Sequence, residues 1–226
     1  MTPSSKLLYR YLTADAALKT IESGKLRVGR ITEFNDPFEW RPGIEGVMPQ
    51  YRQIATHIMD SIINSLNSQF GIICMSESAK EPVLWSHYAN NHYGVALEFD
   101  HILNDTVKEI RYTNNRPIIN TNKLNDDVYM RPIVDAMIHQ KSTGWSYEQE
   151  YRVHVDLSSC TISGGHYFLD IPEDFLKRII LGYRCPLEEE YVKIALKKSG
   201  LDDCSVVRAE MDEHSYSVLS ESIETP

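Results

Sequence analysis

The chain reads as one α+β domain, with short strands in mixed or antiparallel sheets and helices flanking them. Three observations predict this. Short apolar runs of strand character, such as Gly71-Ile72-Ile73-Cys74-Met75 and Val95-Ala96-Leu97-Glu98-Phe99, recur along the chain. Segments of helical period are fewer than the strand candidates between them. No repeat, low-complexity stretch or Gly/Ser-rich linker divides the sequence. Residues 1–226 are therefore expected to form a single domain, with 213–226 as a loose polar tail.

Taken in order, Leu7-Leu8-Tyr9-Arg10-Tyr11 reads as a first strand. Thr13 then caps a helix through Ile21, which Gly24 stops. Leu26 to Gly29 returns as a short strand. Asn35-Asp36-Pro37-Phe38-Glu39 is loop chemistry, since Asn and Asp before Pro favour a turn. Residues 50–66 have helical period, and Ile54, Ile58, Ile62 and Leu66 share one face. Gly71 to Met75 reads as an interior strand, and Pro82 to Asn90 as a short helix or turn. Val95 to Phe99 and Glu109 to Tyr112 are further strands. A helix is expected over 123–140, with Pro132 positioned to kink or divide it. Tyr151 to Val155 alternates as a strand: Tyr151, Val153 and Val155 on one face, Arg152 and His154 on the other, Glu150 at its entrance. Tyr167 to Ile171 and Ile179 to Leu181 are strands, Pro186 leads into a helix over 187–198, and Ser205 to Arg208 is the last strand.

Composition narrows the class. With 226 residues the chain can bury about 70% of its unfolded surface, so it needs no metal or disulfide staple. Apolar content of 42% and charged content of 24% are those of a soluble globular protein. The net charge of −9 excludes a broad electrostatic footprint on nucleic acid. Arg27, Arg30, Arg41 and Arg52 leave a local basic cleft open. Cys74, Cys160, Cys185 and Cys204 form no C-x-x-C pair, which excludes the usual zinc-finger and thioredoxin spacings. Cys74, inside an apolar run, is expected to be a buried reduced thiol. No signal-type apolar region opens the chain and no window reaches the length of a membrane span. A cytoplasmic protein of bacterial type, without a membrane partner, is the expectation.

Three clusters carry the chemistry. In the first, Arg10 lies between Tyr9 and Tyr11 and offers a rigid fork for phosphate or carboxylate. The Asn35–Glu39 loop joins it, with Asn35 or Asp36 available to a ribose or base and Phe38 as a stacking surface; the bland alternative is a capped turn anchored by Phe38. The second is Trp85-Ser86-His87-Tyr88, followed by His92. Adjacent Ser and His rarely adopt nucleophile-and-base geometry, no G-x-S-x-G elbow is present, and no third ligand accompanies His87 and His92 for a metal. Packed Trp85 and Tyr88 with Ser86 and His87 hydrogen-bonded into a pocket is the plainer reading. The third is Trp145-Ser146-Tyr147-Glu148-Gln149-Glu150-Tyr151-Arg152, which sets two carboxylates beside a guanidinium. Those carboxylates suit a catalytic pair or a structural knot with Arg152, and both readings stand.

Tyr9-Arg10-Tyr11, Phe34-Asn35-Asp36-Pro37-Phe38-Glu39, Cys74-Met75-Ser76, Trp85-Ser86-His87-Tyr88-Ala89, His92 to Phe99 and Trp145 to Arg152, in this order, resemble the bacterial and phage family called domain of unknown function 2971, over about residues 7–183. A weaker resemblance is to ADP-ribosyltransferases, in the Arg-bearing first strand, the helix Ala16 to Ser23 with Gly24-Lys25-Leu26 after it, and a glutamate at a late strand start. That resemblance implies an ADP-ribosyltransferase-like fold and NAD as substrate, with a nucleic-acid or protein acceptor in a toxin or phage-defence setting. It implies that Arg10 holds the pyrophosphate or nicotinamide ribose and that Glu150 stabilises the ribosyl centre, with Glu148 competing for that place. The chain lacks a clear Ser-Thr-Ser motif and an unambiguous middle tyrosine. Arg10, Ser86, His87, Tyr88, Glu150 and Arg152 are then expected to line one cleft. A non-catalytic binding module in the same cleft, and a metal-independent nuclease or hydrolase using His87 and Glu150, are the other classes.

Overall fold

The computed structural model describes residues 5–102, 106–124, 126–172, 174–201 and 203–219. Thr13 caps the first helix as its sequence demands: its side chain accepts from the Ala16 amide, and Gly24 ends the helix in the left-handed region at φ 63°. This helix, α1 (Ala14–Ser23), joins β1 (Ser5–Leu12) to β2 (Lys25–Val28). After β3 (Gly43–Glu45) come α2 (Arg52–Gln69), β4 (Phe70–Ser76), α3 (Pro82–Tyr88) and β5 (Val95–Ile102). Four short strands follow, β6 (Val107–Glu109), β7 (Arg111–Thr113), β8 (Ile118–Asn120) and, beyond α4 (Asp127–His139), β9 (Gln140–Ser142). A 3₁₀ segment, Thr143–Glu148, leads into β10 (Glu150–Asp156). The rest is β11 (Thr161–Ser163), β12 (His166–Asp170), β13 (Leu176–Leu181), α5 (Glu189–Ser199), β14 (Ser205–Arg208), β15 (Glu210–Met211) and β16 (Val218–Leu219).

A mixed seven-stranded sheet in the order β14-β13-β5-β1-β4-β10-β6 forms the frame. Its pairings are antiparallel except β13 with β14. One face is apolar. Leu8, Ile73, Met75, Leu97, Val153, Val155, Ile179 and Leu181 pack there with Ala17 and Ile21 of α1, Val192 and Leu196 of α5, and Leu26 and Val28 of β2. The other face is composite. Trp85 packs with Tyr9, Ala96 and Ile180 at one end, and Ile72 packs with Ile31, Trp40 and Ile63 towards the other.

One irregularity of this sheet positions the site. β1 pairs with β5 along its whole length, but its register with β4 is the single pair Tyr9↔Ser76. Beyond it the two strands part. β4 takes Gly29 as partner instead, and Gly29 and Ile72 exchange both backbone hydrogen bonds at 2.9 Å. A Cβ on Gly29 would stand 3.2 Å from the Ile72 carbonyl oxygen, so the close approach suits a residue without one. The opening left between β1 and β4 is the mouth of a cavity.

Several elements differ from the sequence reading. α2 buries Ala55, Met59 and Ile63, whereas Ile54 and Ile58 are exposed. Met59 meets Ile119 and Met137, and Ile63 meets Trp40 and Ile72; these contacts fix which stripe of the helix faces inward. The run Glu109 to Tyr112 is two strands, broken at Ile110, because β6 pairs with β10 and β7 with β9. Pro132 lies inside α4, which stays one helix. The last helix begins at Glu189, three residues beyond Pro186. The tail expected from Glu213 includes β16, whose Val218 is buried and donates its amide to the Lys80 carbonyl; positions 220–226 lie outside the described residues. All four cysteines are free. Among the described residues, no helix is long and apolar enough to cross a membrane.

Candidate functional site

The cavity between β1 and β4 has a volume of about 220 Å³. Tyr9, Arg10 and Tyr11 form one wall, Cys74 and Ser76 another, Asn35 and Tyr88 the rim, and Lys141, Glu148 and Glu150 the floor. Arg10 reaches across the split, where Nη2 donates to the Arg27 carbonyl at 2.9 Å. Its Nη1 is buried and has no hydrogen-bond partner among the described residues. Burial weighs against the Arg10 charge and lowers its pKa, although Cys74 opposes this.

Beneath the cavity lies a buried cluster of five charged side chains, Glu39, Lys141, Glu148, Glu150 and Arg152. Lys141 Nζ stands 3.1 Å from Glu39, 2.5 Å from Glu148 and 3.2 Å from Glu150. Arg152 donates through Nε to Glu150 at 2.8 Å, through Nη2 to Glu39 and again to Glu150, and through Nη1 to the Ile138 carbonyl at 2.8 Å. Aromatic rings cover both cations: Trp145 lies 4.9 Å from Lys141 Nζ, and Phe34 lies 4.9 Å from the Arg152 guanidinium carbon.

Local backbone geometry brings the two nearby glutamates together. Glu148 ends the 3₁₀ segment, Gln149 caps it in the left-handed region at φ 44°, and Glu150 begins β10. The turn at Gln149 lets residues on either side of it flank one ammonium. Ser76 fixes the backbone there by donating its hydroxyl to the Glu148 carbonyl at 2.6 Å.

Electrostatics divides the pair. Burial pushes Glu150 up, but Arg152 and then Lys141 outweigh it and hold its carboxyl at about 2. Burial also pushes Glu148 up, and here it prevails over Lys141 and over the hydrogen bonds from Lys141 and Tyr88; the Glu150 charge adds to the rise. Burial opposes the Lys141 charge, yet Glu150, Glu39 and Glu148 together raise its pKa. With every member ionised, three carboxylates face two cations.

Tyr88 completes the site. Its hydroxyl donates to Glu148 Oε1 and accepts from Asn35 Nδ2 at 3.0 Å. Burial and then Glu148 raise the phenol pKa well above the ordinary value of 10.0, so the proton stays on the ring oxygen at neutral pH.

Of the residues expected to share a cleft, Arg10, Tyr9, Asn35, Tyr88 and Glu150 line this cavity, together with Glu148. Arg152 lies behind it, fully buried, and ties Glu150 to Glu39. His87 is absent from the lining; its ring is exposed and Nδ1 meets the Tyr147 hydroxyl at 2.9 Å. Ser86 meets His92, at 3.4 Å, and not its neighbour His87. Helical rotation after Trp85 causes this divergence: Trp85 points inward and donates to the Ala79 carbonyl, which turns Ser86 and His87 away from the cavity. Asp36 caps the turn by accepting the Phe38 amide at 2.9 Å. Phe38 is exposed, faces Arg116 and borders a separate depression with Asn114 and Ser142. Three arginines of the suggested basic cleft have separate partners: Arg27 pairs with Glu33, Arg41 with Asp60, and Arg30 donates to the Asn67 carbonyl.

Two members of the cluster escape sequence reasoning. Glu39 follows the turn signal and looks like part of the loop. Lys141, between Gln140 and Ser142, has the local pattern of a surface residue. An unpaired excess of carboxylates around Arg152 was the available hint that another cation must exist.

Residues 84–153 match the model of a family described as "Protein of unknown function (DUF2971)". This supports the resemblance to that family. The matched span contains Tyr88, Lys141, Glu148, Glu150 and Arg152, while Arg10 and Glu39 precede it. No curated protein and no solved structure matches the chain.

Proposed function

We propose that the cavity binds a nucleotide and that the chain transfers an ADP-ribosyl group from NAD to a nucleic-acid or protein acceptor. The observation that carries this reading is Arg10, whose guanidinium has a buried nitrogen without a partner among the described residues and which lines the same cavity as the Glu148–Tyr88 pair. An anionic ligand group in the cavity would pair with the Arg10 guanidinium and offset the cost of burying its charge. The cavity volume is below the usual range of roughly 300–1,000 Å³ for a drug-sized ligand, so one ring-bearing half of the dinucleotide enters and the other lies along the mouth. As nicotinamide leaves, positive charge develops on the ribose, and the carboxylate-rich floor is disposed to stabilise it. Glu148 takes the reactive role in this reading because Glu150 is engaged through both oxygens by Arg152 and Lys141.

Incubation with NAD labelled in the nicotinamide ring is the test. Nicotinamide release is expected from the native protein, falling about 10²–10⁴-fold in Glu148→Gln. Neither release nor binding of ADP-ribose by the native protein would overturn the reading. One observation favours a second function, nucleotide binding without turnover: the Glu150 carboxylate is wholly occupied by structural partners. Saturable ADP-ribose binding that Arg10→Gln abolishes, with no nicotinamide released, is the outcome that selects it.

A further inference from the structure

We infer that Tyr88 and Glu148 form a proton relay that draws a proton out of the cavity into the buried charge cluster. The inference rests on the cavity being a ligand site, as proposed above, and not on the ligand being NAD.

The geometry is a chain of three contacts. Asn35 donates to the Tyr88 oxygen, Tyr88 donates to Glu148 Oε1, and Lys141 donates to Glu148 Oε2 at 2.5 Å. A phenol oxygen accepts a hydrogen bond as well as donating one, and Asn35 takes the accepting position. Tyr88 and Asn35 both border the cavity and Tyr88 is half-buried, so an O–H or N–H of a bound molecule can take the place of the Asn35 amide on that oxygen. When that bond forms, the ligand proton moves to the Tyr88 oxygen while the phenol proton moves to Glu148 Oε1. One O–H or N–H bond breaks on the ligand, one O–H bond forms on Glu148, and Tyr88 ends as it began. The ligand atom keeps the electron pair and becomes the nucleophile.

The cluster supplies the driving force. Glu39, Glu148 and Glu150 outnumber Lys141 and Arg152 by one charge, and all five are buried. Gaining one proton makes the cluster neutral, and an uncompensated buried charge is among the most costly features a fold can hold. Glu150 cannot be the recipient, because Arg152 grips both of its oxygens. Among the described residues Glu148 has only Lys141 as a cationic partner, and burial raises its pKa, which makes it the better base. Tyr88 is then the group that touches the ligand, and Glu148 is the proton acceptor behind it. Lys141 is a positioning residue that keeps Oε1 turned towards the phenol.

Infrared difference spectroscopy on the ligand-free protein tests this directly. As pH is lowered towards the ordinary glutamate value of 4.5, a carboxylic-acid C=O band should appear before the bulk of the surface carboxylates titrate. Glu148→Gln should abolish that band, and should fold because it removes the excess charge. Tyr88→Phe should keep the band but move it to higher frequency, since the carboxyl loses the hydrogen bond donated by the phenol. A band untouched by Glu148→Gln, or no such band until the ordinary carboxylate range, would overturn the inference. An unshifted band in Tyr88→Phe would break the link to the cavity and overturn it equally. Because no ligand is added, these results are independent of nicotinamide release. If the native protein does turn over NAD, its rate should fall on acidification as Glu148 takes its proton beforehand, and Glu148→Gln should lack that limb of the pH profile.

Discussion

On one face of β10, Tyr151, Val153 and Val155 sink into an apolar core; on the other, Glu150, Arg152 and His154 meet charged and polar partners. These six residues thus serve two interiors of opposite chemistry. Apart from a hydrogen bond from Lys6 to the Tyr151 hydroxyl, the apolar face is held by burial, which is non-directional and tolerates substitutions of similar volume. The polar face is held by oriented pairs, in which each member is costly without the others. A fold that needed only stability would have been served by apolar residues on both faces, since replacing a buried ion pair by packed hydrophobes is often neutral or stabilising. Retaining five charges beside a solvent-reached cavity therefore fits a site better than a core.

Removing one member of the cluster should give the largest difference between the two faces. Arg152→Met leaves Glu39 and Glu150 without their shared guanidinium and the Ile138 carbonyl without its donor. A loss of about 3–5 kcal/mol is expected, as for other buried pairs broken on one side. Val153→Ala, one residue away on the apolar face, should cost about 1–3 kcal/mol from lost burial and the cavity left behind. Urea denaturation at pH 7 measures both. Equal losses would mean that the charged face carries no special penalty, and the contrast between the faces would fail.

Acid should separate the faces next, since only one of them titrates. Burial lowers the His154 pKa from 6.5 to about 4, helped by His139, Arg152 and Lys108. In the fold His154 is therefore neutral where the unfolded chain would bind a proton, so its contribution is complete above pH 6.5 and is lost as pH falls towards 4. Glu150 acts in the same direction at lower pH, because its carboxyl at about 2 lies below the ordinary 4.5: its contribution is lost as pH falls from 4.5 towards 2. Glu148 has the opposite sign. Its raised pKa means that the fold binds a proton more readily than the unfolded chain, so this group favours folding at pH below its folded pKa. The midpoint of urea unfolding should fall between pH 6.5 and 4, and His154→Asn should flatten that interval while leaving the steeper loss below pH 4.5. An unchanged slope in the variant would place the acid sensitivity elsewhere.

How legible each face was in the sequence follows from the same contrast. The apolar face announces itself by alternation, so Tyr151, Val153 and Val155 could be assigned to the core from spacing alone. Thr13 and Gly24 were equally readable, because caps are local. The polar face was half legible. Glu150 and Arg152 fall two apart on one strand, but Glu39 and Lys141 reach them from distant loops and short strands, and no local pattern carries such contacts. For α2 the bulkier Ile54 and Ile58 outweighed Ala55 and Met59 in the pattern, although tertiary contacts bury the latter pair. The parting of β1 from β4, which opens the cavity, depends on Gly29 pairing with Ile72, a register that strand propensities do not encode.

The smallest effect is expected at Gln149, where the backbone links the two glutamates. A non-glycine residue at φ 44° is sterically disfavoured, by roughly 1–2 kcal/mol relative to the right-handed region. Gln149→Gly removes that strain but adds unfolded-state entropy of about 0.5–1 kcal/mol, so net stability should change by less than about 1 kcal/mol. Gln149 is exposed and holds no part of the charge cluster through its side chain, so the pairs from Lys141 to Glu148 and Glu150 should survive. The informative readout is the Glu148 infrared band. If the left-handed turn alone sets the placement of Glu148, the glycine variant keeps the band, because glycine adopts that φ freely. Gln149→Val, which resists it, should lose both stability and the band together. Loss of the band in the glycine variant would instead mean that the Gln149 side chain orders the site, and the division between a rigid apolar face and a backbone-positioned polar face would need redrawing at this residue.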